Sequence, residues 1–183
     1  MSGPRIPFPD AATLDAGTVA QLARRPPIDL YRMVSHSPPL LEPFLSLVVA
    51  NFSRLAIPPA VREAVILRVG AHHASAYELH HHRRMARDAG VDPAAIEALV
   101  TGSPAGGLPA ALQAPIALAD ALLQGRRVDD ALLARIVDGG GPRAYVELAL
   151  LVGFYRMVAT FLDAVGIEPE PDGVLAGWRP PAA

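Results

Sequence analysis

The pattern of apolar and polar positions predicts helices along almost the whole chain. Between about residue 16 and residue 165, apolar residues recur every three to four positions, and residues that favour helices, above all Ala, Leu and Arg, are frequent. Proline and glycine stand mostly at the borders of these segments, where Pro opens helices and Gly closes them. The sequence therefore predicts an all-α fold in a single domain spanning residues 1–183, with its core at about 30–165.

We expect about seven helices, besides short turns and irregular tails. Seven of them are 16–25, 40–52, 58–72, 75–90, 92–100, 108–124 and a long last helix that follows Gly139–Pro142 and ends near 165, and a short additional helical segment, 129–137, precedes that last helix. Residues 29–34 are predicted as a short turn and residues 101–107 as a flexible linker. The Pro-rich tails, 5–9 and 168–183, are predicted to be irregular, with Trp178 packing on its own domain or on a neighbouring subunit.

Composition narrows the classes of function. The chain has sixteen basic residues, all of them Arg, and eighteen acidic ones, so its net charge is −2. Because nucleic-acid-binding surfaces need an excess of basic residues, we expect no nucleic-acid partner. The absence of Lys excludes Schiff-base chemistry, and the absence of Cys excludes disulfides, thiolate metal sites and thiol nucleophiles. The N-terminal residues lack the apolar core of a secretory signal, and the longest apolar run, 148–155, is shorter than the roughly 20 residues that span a bilayer. We expect a cytoplasmic protein that does not enter membranes.

Histidines are concentrated in one short segment. Five of the six lie between positions 72 and 82: His72, His73, His80, His81 and His82. Residues three and four apart share a face of a helix, so Ser75, Glu78 and His82 line one stripe of the predicted fourth helix. Glu63 lies on the helix before it.

Ordinary explanations exist for each part of this segment. Ser75 and Glu78 have the S-x-x-E spacing of a helix capping box, and Glu78 with His82 could form a surface pair. The run from His80 to Arg84 is of a kind that usually faces solvent. The imidazoles and carboxylates are of the kind that zinc or iron accepts, but their spacing matches no recognised ligand motif. We therefore predict no bound metal and no cofactor.

Three neighbouring stretches resemble a known family. The segments 62–70 (REAVILRVG), 77–82 (YEL-x-x-H) and 86–91 (AR-x-AGV), with 147–158 on the last helix, resemble the carboxymuconolactone decarboxylase family, which also contains the alkylhydroperoxidase-like proteins. The resemblance covers about residues 30–165. It implies the helical fold of that family and a homo-oligomer, either a trimer or a hexamer.

The resemblance also separates two kinds of chemistry. The peroxidase branch of the family has the pattern E-x11-C-x2-C-x3-H, which from Glu63 falls on Ser75, Glu78 and His82 in this chain. Both sulfurs are replaced, and peroxide reduction by that route needs two thiols. The resemblance then implies the cysteine-free branch, which includes an enzyme that removes CO2 from 4-carboxymuconolactone without a cofactor.

That branch implies a proton-transfer site for a small carboxylated lactone or related unsaturated acid. His82 is expected to be the general acid or the donor to the lactone oxygen, oriented by Glu78 and Glu63. Arg68 could anchor a substrate carboxylate or form a structural ion pair. The residues expected to bind substrate are Tyr77, Ser75, Arg68 and Tyr155. Alternatives are a lactone isomerase or hydrolase, a metal-dependent enzyme, and a non-catalytic binding module.

Overall fold

The computed structural model describes residues 3–171, and within that range every regular element is helical. The α-helices are α1 (Ala16–Ala23), α2 (Asp29–Val34), α3 (Pro38–Ser53), α4 (Pro59–His72), α5 (Ala76–Asp88), α6 (Pro93–Val100), α7 (Ala110–Leu123) and α8 (Asp130–Val165). Two short 3-10 turns, Ala11–Thr13 and Ala105–Gly107, complete the set. The predicted all-α fold is confirmed, whereas the prediction for Trp178 lies outside the described residues.

Two short segments differ from their prediction. Residues Asp29–Val34 form a helix and not a turn, because Tyr31 is buried and its ring packs edge-on against Phe44 of α3 at 6.5 Å. The predicted linker 101–107 contains a 3-10 turn, and its Ser103 carbonyl accepts a hydrogen bond from Arg68. In both places tertiary contacts order a segment whose local sequence signal is weak.

The chain divides into two compact units. Among the described residues, the first comprises 3–54 together with 164–171, and it contains α1, α2 and α3. The second, Leu55–Asp163, contains α4 to α7 and nearly all of α8. All the residues expected to form the site fall in the second unit. The single-domain assignment stays a prediction.

Helix α4 is the centre of the second unit. Its ten consecutive residues from Val61 to Gly70 are all buried, and the helix packs against α5, α6 and α7. A helix that is buried on every side is normally apolar all round. This one carries Arg62, Glu63 and Arg68, and buried charges must be paired or neutralised. Helix α4 therefore brings ionisable side chains into the interior, where their hydrogen-bond and ion-pair partners determine whether they are charged.

Helix α5 follows α4 after a short connection, and the side chain of Ser75 caps its N-terminus. Ala74 takes a left-handed backbone conformation (φ 50°) between the two helices, and the Ser75 hydroxyl accepts a hydrogen bond from the Glu78 N–H at 3.4 Å. The capping function predicted for Ser75 is therefore present. The reciprocal half of a capping box is missing, because the Ser75 N–H donates to the Gly70 carbonyl at 2.9 Å. The Glu78 carboxyl group is not used as a cap.

Helix α8 is interrupted at Gly141. This residue has φ 75° and ψ 173°, which lies outside helical geometry and separates the predicted segment 129–137 from the last long helix. By length and composition alone α8 could cross a membrane, although 44% of its most apolar window is already buried within the protein. Core helices of soluble proteins pass the same test. The absence of a membrane span stays a prediction.

Candidate active site

A buried ion-pair chain joins α4 to α5. The Glu63 side chain is fully buried, and its Oε2 lies 2.7 Å from Nδ1 of His82. Its second oxygen, Oε1, accepts a hydrogen bond from Nε of Arg62 at 2.9 Å. His82 is only 7% exposed, which places the imidazole inside the protein and not on the solvated face of α5. The structure thus brings together two of the three residues expected to be catalytic.

The partners of Glu63 decide its ionisation. Desolvation alone would raise the pKa of the Glu63 carboxyl, but His82 and then Arg62 lower it below its usual value. Glu63 is therefore a carboxylate at neutral pH. A carboxylate on Nδ1 fixes the tautomer and the orientation of an imidazole. This is the carboxylate–imidazole arrangement expected from the sequence, with Glu63 as the orienting acid.

Glu78 behaves in the opposite way. Its side chain is 2% exposed, and neither carboxyl oxygen has a hydrogen-bond partner among residues 3–171. Burial raises the pKa of Glu78 to about 8, and the nearby Ser75 hydroxyl offsets only part of this rise. At neutral pH Glu78 is therefore a neutral carboxylic acid. The expectation that it helps to orient His82 has no hydrogen bond to support it.

Gly70 makes room for this acid. A Cβ on Gly70 would lie 3.2 Å from Cβ of Glu78 and 3.6 Å from its Oε2. Gly70 and Glu63 are seven residues apart and share one face of α4, while Glu78 and His82 are four apart and share one face of α5. The two helices therefore run antiparallel, with Glu63 opposite His82 and Gly70 opposite Glu78. Glu78 and His82 are one helical turn apart on α5, which separates their backbone positions by about 6 Å along the helix axis.

Aromatic rings flank the pair. The Tyr155 ring, on α8, packs edge-on against the His82 ring with centroids 5.2 Å apart. Tyr155, which is expected to bind substrate, thus lies beside His82. Tyr77 is buried on α5, and its ring packs against His81 at 4.6 Å.

Arg68 belongs to a different cluster. Its Nε and Nη2 donate to the two carboxylate oxygens of Asp120 at 2.7 and 3.0 Å. The same guanidinium donates to the carbonyl oxygens of Leu99 at 3.2 Å and Ser103 at 2.5 Å. Arg68 is five residues from Glu63, which turns it about 140° away around α4. Of the two interpretations given for Arg68, the structural ion pair is the one observed, and we do not place it in the site.

Several other polar side chains make structural contacts. Glu147 on α8 accepts hydrogen bonds from the Ala56 N–H at 2.7 Å and from Nε of Arg143 at 2.6 Å, so it ties the start of the second unit to α8. The ring of His72 packs on His73 at 5.1 Å, and that of His80 on His81 at 4.9 Å. Within residues 3–171 no group of three or more His, Asp or Glu side chains is arranged to hold a metal ion.

Two contributors to the site were not assigned from the sequence. Arg62 enters the sequence analysis only within the segment 62–70, yet it donates a hydrogen bond to the second oxygen of the Glu63 carboxylate. The signal was an Arg–Glu pair inside an apolar helix. Gly70 was quoted only as part of a motif, and the signal was a glycine in an uninterrupted helical pattern, which usually marks a close approach.

Comparison with known proteins bears on the family and on the fold. The model of the carboxymuconolactone decarboxylase family matches residues 38–121, a segment that contains Glu63, Glu78 and His82. The predicted family resemblance is confirmed. Tyr155 lies beyond the matched segment. No curated protein matches the sequence.

Two solved structures show the same fold. One is an uncharacterised peroxidase-related protein from Ralstonia eutropha JMP134, described as an alkylhydroperoxidase AhpD core, with a TM-score of 0.80 and 15% identity over 98% of this chain and 99% of that one. The other is an uncharacterised peroxidase-related protein from Silicibacter sp. TM1040, with a TM-score of 0.76 and 17% identity over 94% of each chain. At such identities the likeness extends to the fold and not to activity. The present chain has no cysteine.

Proposed function

We propose that this protein is a cofactor-independent carboxy-lyase that acts on a small carboxylated lactone or a related unsaturated acid. The observation that carries the proposal is the coexistence, on one helical hairpin, of a paired His82–Glu63 couple and an unpartnered, buried Glu78. Buried acids without partners are costly and collect at functional sites. The family match to residues 38–121 supports the class of reaction.

The chemistry uses the two glutamates in different states. Loss of CO2 breaks the C–C bond to the substrate carboxylate and leaves the electron pair conjugated with the lactone carbonyl. The His82 imidazole, held by Glu63, stabilises negative charge that develops on that carbonyl oxygen. Glu78 then gives its proton to carbon, becomes a carboxylate, and takes a new proton from water.

A neutral Glu78 also suits an anionic substrate. An ionised carboxylate at this position would repel the carboxylate that has to be lost, whereas the protonated form does not. The buried setting removes water from the substrate carboxylate, which strengthens every electrostatic interaction in the site. In this scheme Glu63 orients, His82 stabilises charge and Glu78 donates the proton.

The test is a screen for CO2 release from small unsaturated lactones and vinylogous acids. With a substrate found, His82→Ala and Glu78→Gln are each expected to lower turnover by at least about tenfold, or roughly 1.4 kcal/mol of barrier, with helix content unchanged. The matched control is Glu97→Gln, an exposed glutamate that pairs with Arg83 on the surface and is expected to keep wild-type turnover.

Each other outcome has a defined meaning. Wild-type turnover in both site variants would refute the assignment of these residues. Lactone opening without CO2 release would replace the lyase by a hydrolase, and lactone isomerisation without CO2 release would indicate an isomerase. A peroxide assay run in parallel is expected to be negative, because the chain contains no thiol.

A further inference from the structure

A cavity of about 320 Å³ opens where α7 ends and α8 begins, and we name it the α7–α8 cavity. Its lining includes none of Glu63, Glu78 and His82, so it is separate from the candidate active site. Most of the wall is apolar and is formed by Pro104, Ala105, Ala117, Ala121, Val128 and Leu132. The charged residues of the wall are Asp120, Arg126, Arg127 and Asp129.

The connection between the two helices, residues 124–129, is held at both ends. Gly125 takes a left-handed conformation (φ 65°) after α7, and the Arg126 N–H donates to the Ala121 carbonyl at 2.8 Å. At the other end the Asp129 carboxylate accepts a hydrogen bond from the Leu132 N–H at 2.7 Å, which caps α8. The cavity is therefore pre-formed, and a ligand does not have to order this loop when it binds.

The acids of the wall are engaged, whereas its guanidinium groups are not. Both carboxylate oxygens of Asp120 accept hydrogen bonds from Arg68, and Asp129 caps α8. Arg126 uses only its Nε, which donates to Gln124 at 2.7 Å, and neither Arg126 nor Arg127 forms an ion pair with an acid among residues 3–171. Because Arg68 balances Asp120, two guanidinium charges stand against the one carboxylate of Asp129. The wall is therefore positive by one charge.

We propose that the α7–α8 cavity binds a small monocarboxylic acid with an apolar body. Guanidinium groups donate paired hydrogen bonds to a carboxylate, and a single negative charge matches the single excess positive charge of the wall. The alanine, valine and leucine side chains contact the rest of the ligand. The volume is at the small end of the range of ligand pockets, which favours one ring or a short chain. This site does not depend on the reaction proposed for Glu78 and His82.

The test uses benzoate as the probe and isothermal titration calorimetry as the measurement. Benzamide has the same shape without the charge, and acetate has the charge without the ring. We expect both to bind at least about tenfold more weakly than benzoate, a difference of roughly 1.4 kcal/mol. No binding of benzoate at millimolar concentration would overturn the proposal. Equal binding of benzamide, or of acetate, would overturn it as well, because the site would then not recognise both parts of the ligand.

Variants locate the bound benzoate. The double variant Arg126→Gln with Arg127→Gln is expected to weaken benzoate binding at least about tenfold. Ala117→Leu, on the partly exposed wall of α7, keeps both arginines but fills the cavity, and the same loss is expected. Arg24→Gln, an exposed arginine of the first unit, is the matched control and is expected to bind as the wild type does.

Circular dichroism checks that each variant keeps its helix content. Wild-type affinity in both the arginine double variant and Ala117→Leu would overturn the assignment to the α7–α8 cavity. Loss of benzoate binding in His82→Ala, with the cavity variants unaffected, would also overturn it, because the benzoate would then lie in the candidate active site.

Discussion

At the scale of residues, the site depends on two buried glutamates that differ in their partners. Glu63 has His82 on one oxygen and Arg62 on the other, and is ionised. Glu78 has no hydrogen-bond partner among residues 3–171 and keeps its proton. The same type of side chain is therefore ionised at one position and neutral at the other.

This difference has a consequence for stability. The Glu78 carboxyl titrates near its ordinary value of 4.5 in the unfolded chain and near a pKa of about 8 in the folded one. Between these values the folded state binds one proton more, so Glu78 makes the free energy of unfolding fall as pH rises, by about 1.4 kcal/mol per pH unit. Glu78→Gln removes this contribution.

The measurement is urea unfolding of the wild type and Glu78→Gln at several values from about pH 5 to about pH 8. The wild-type stability relative to the variant is expected to decline steadily over this window. His73, whose pKa burial lowers, acts in the opposite direction but is present in both proteins and cancels. A difference independent of pH would show that Glu78 is ionised in the folded protein.

At the scale of elements, the site is a property of the α4–α5 hairpin. Ser75 ends the connection and caps α5, which fixes where the turns of α5 begin. Gly70 lets α5 approach closely enough for Glu78 to be buried against α4. The register that places Gly70 opposite Glu78 also places Glu63 opposite His82.

Gly70→Ala tests this register. The added Cβ would lie 3.2 Å from Cβ of Glu78 and 3.4 Å from Cδ2 of Leu79, so these neighbours on α5 have to give way by a few tenths of an ångström. We expect a loss of about 1–3 kcal/mol in the free energy of unfolding, as is typical of overpacking. Gly139→Ala on α8, where a Cβ meets nothing within 4 Å, is the control.

The control is expected to be neutral or stabilising, because alanine favours a helix by up to about 1 kcal/mol over glycine. Both variants are measured by denaturant unfolding under the same conditions. If Gly70→Ala gained as much stability as Gly139→Ala, the close approach of the two helices would not be a constraint.

At the scale of the whole molecule, much of the fold could be predicted from sequence. Pro58 and Pro59 predicted where α4 begins, and Ser75 and Gly90 predicted the two ends of α5. These boundaries are predictable because capping depends on neighbouring residues in the sequence. The helix at residues 29–34 was missed, since it depends on the packing of Tyr31 on Phe44.

The sequence indicated which residues form the candidate site better than it indicated their protonation states. Glu63, Glu78, His82 and Tyr155 were named from the sequence, and His82 contacts two of the others, Glu63 and Tyr155. The sequence could not predict that Glu63 is ionised and Glu78 is neutral, because protonation depends on distances between side chains of α4 and α5. The engagement of Arg68 by Asp120 likewise required the packing of α4 on α7.

The central claim is that Glu78 is a buried, protonated acid at neutral pH. Difference infrared spectroscopy, wild type minus Glu78→Gln, over about pH 5 to about pH 10 reads this state from the carbonyl stretch of a protonated carboxylic acid. We expect that band to persist through neutral pH and to disappear with an apparent pKa of about 8. Its absence at neutral pH, with carboxylate bands in its place, would contradict the account.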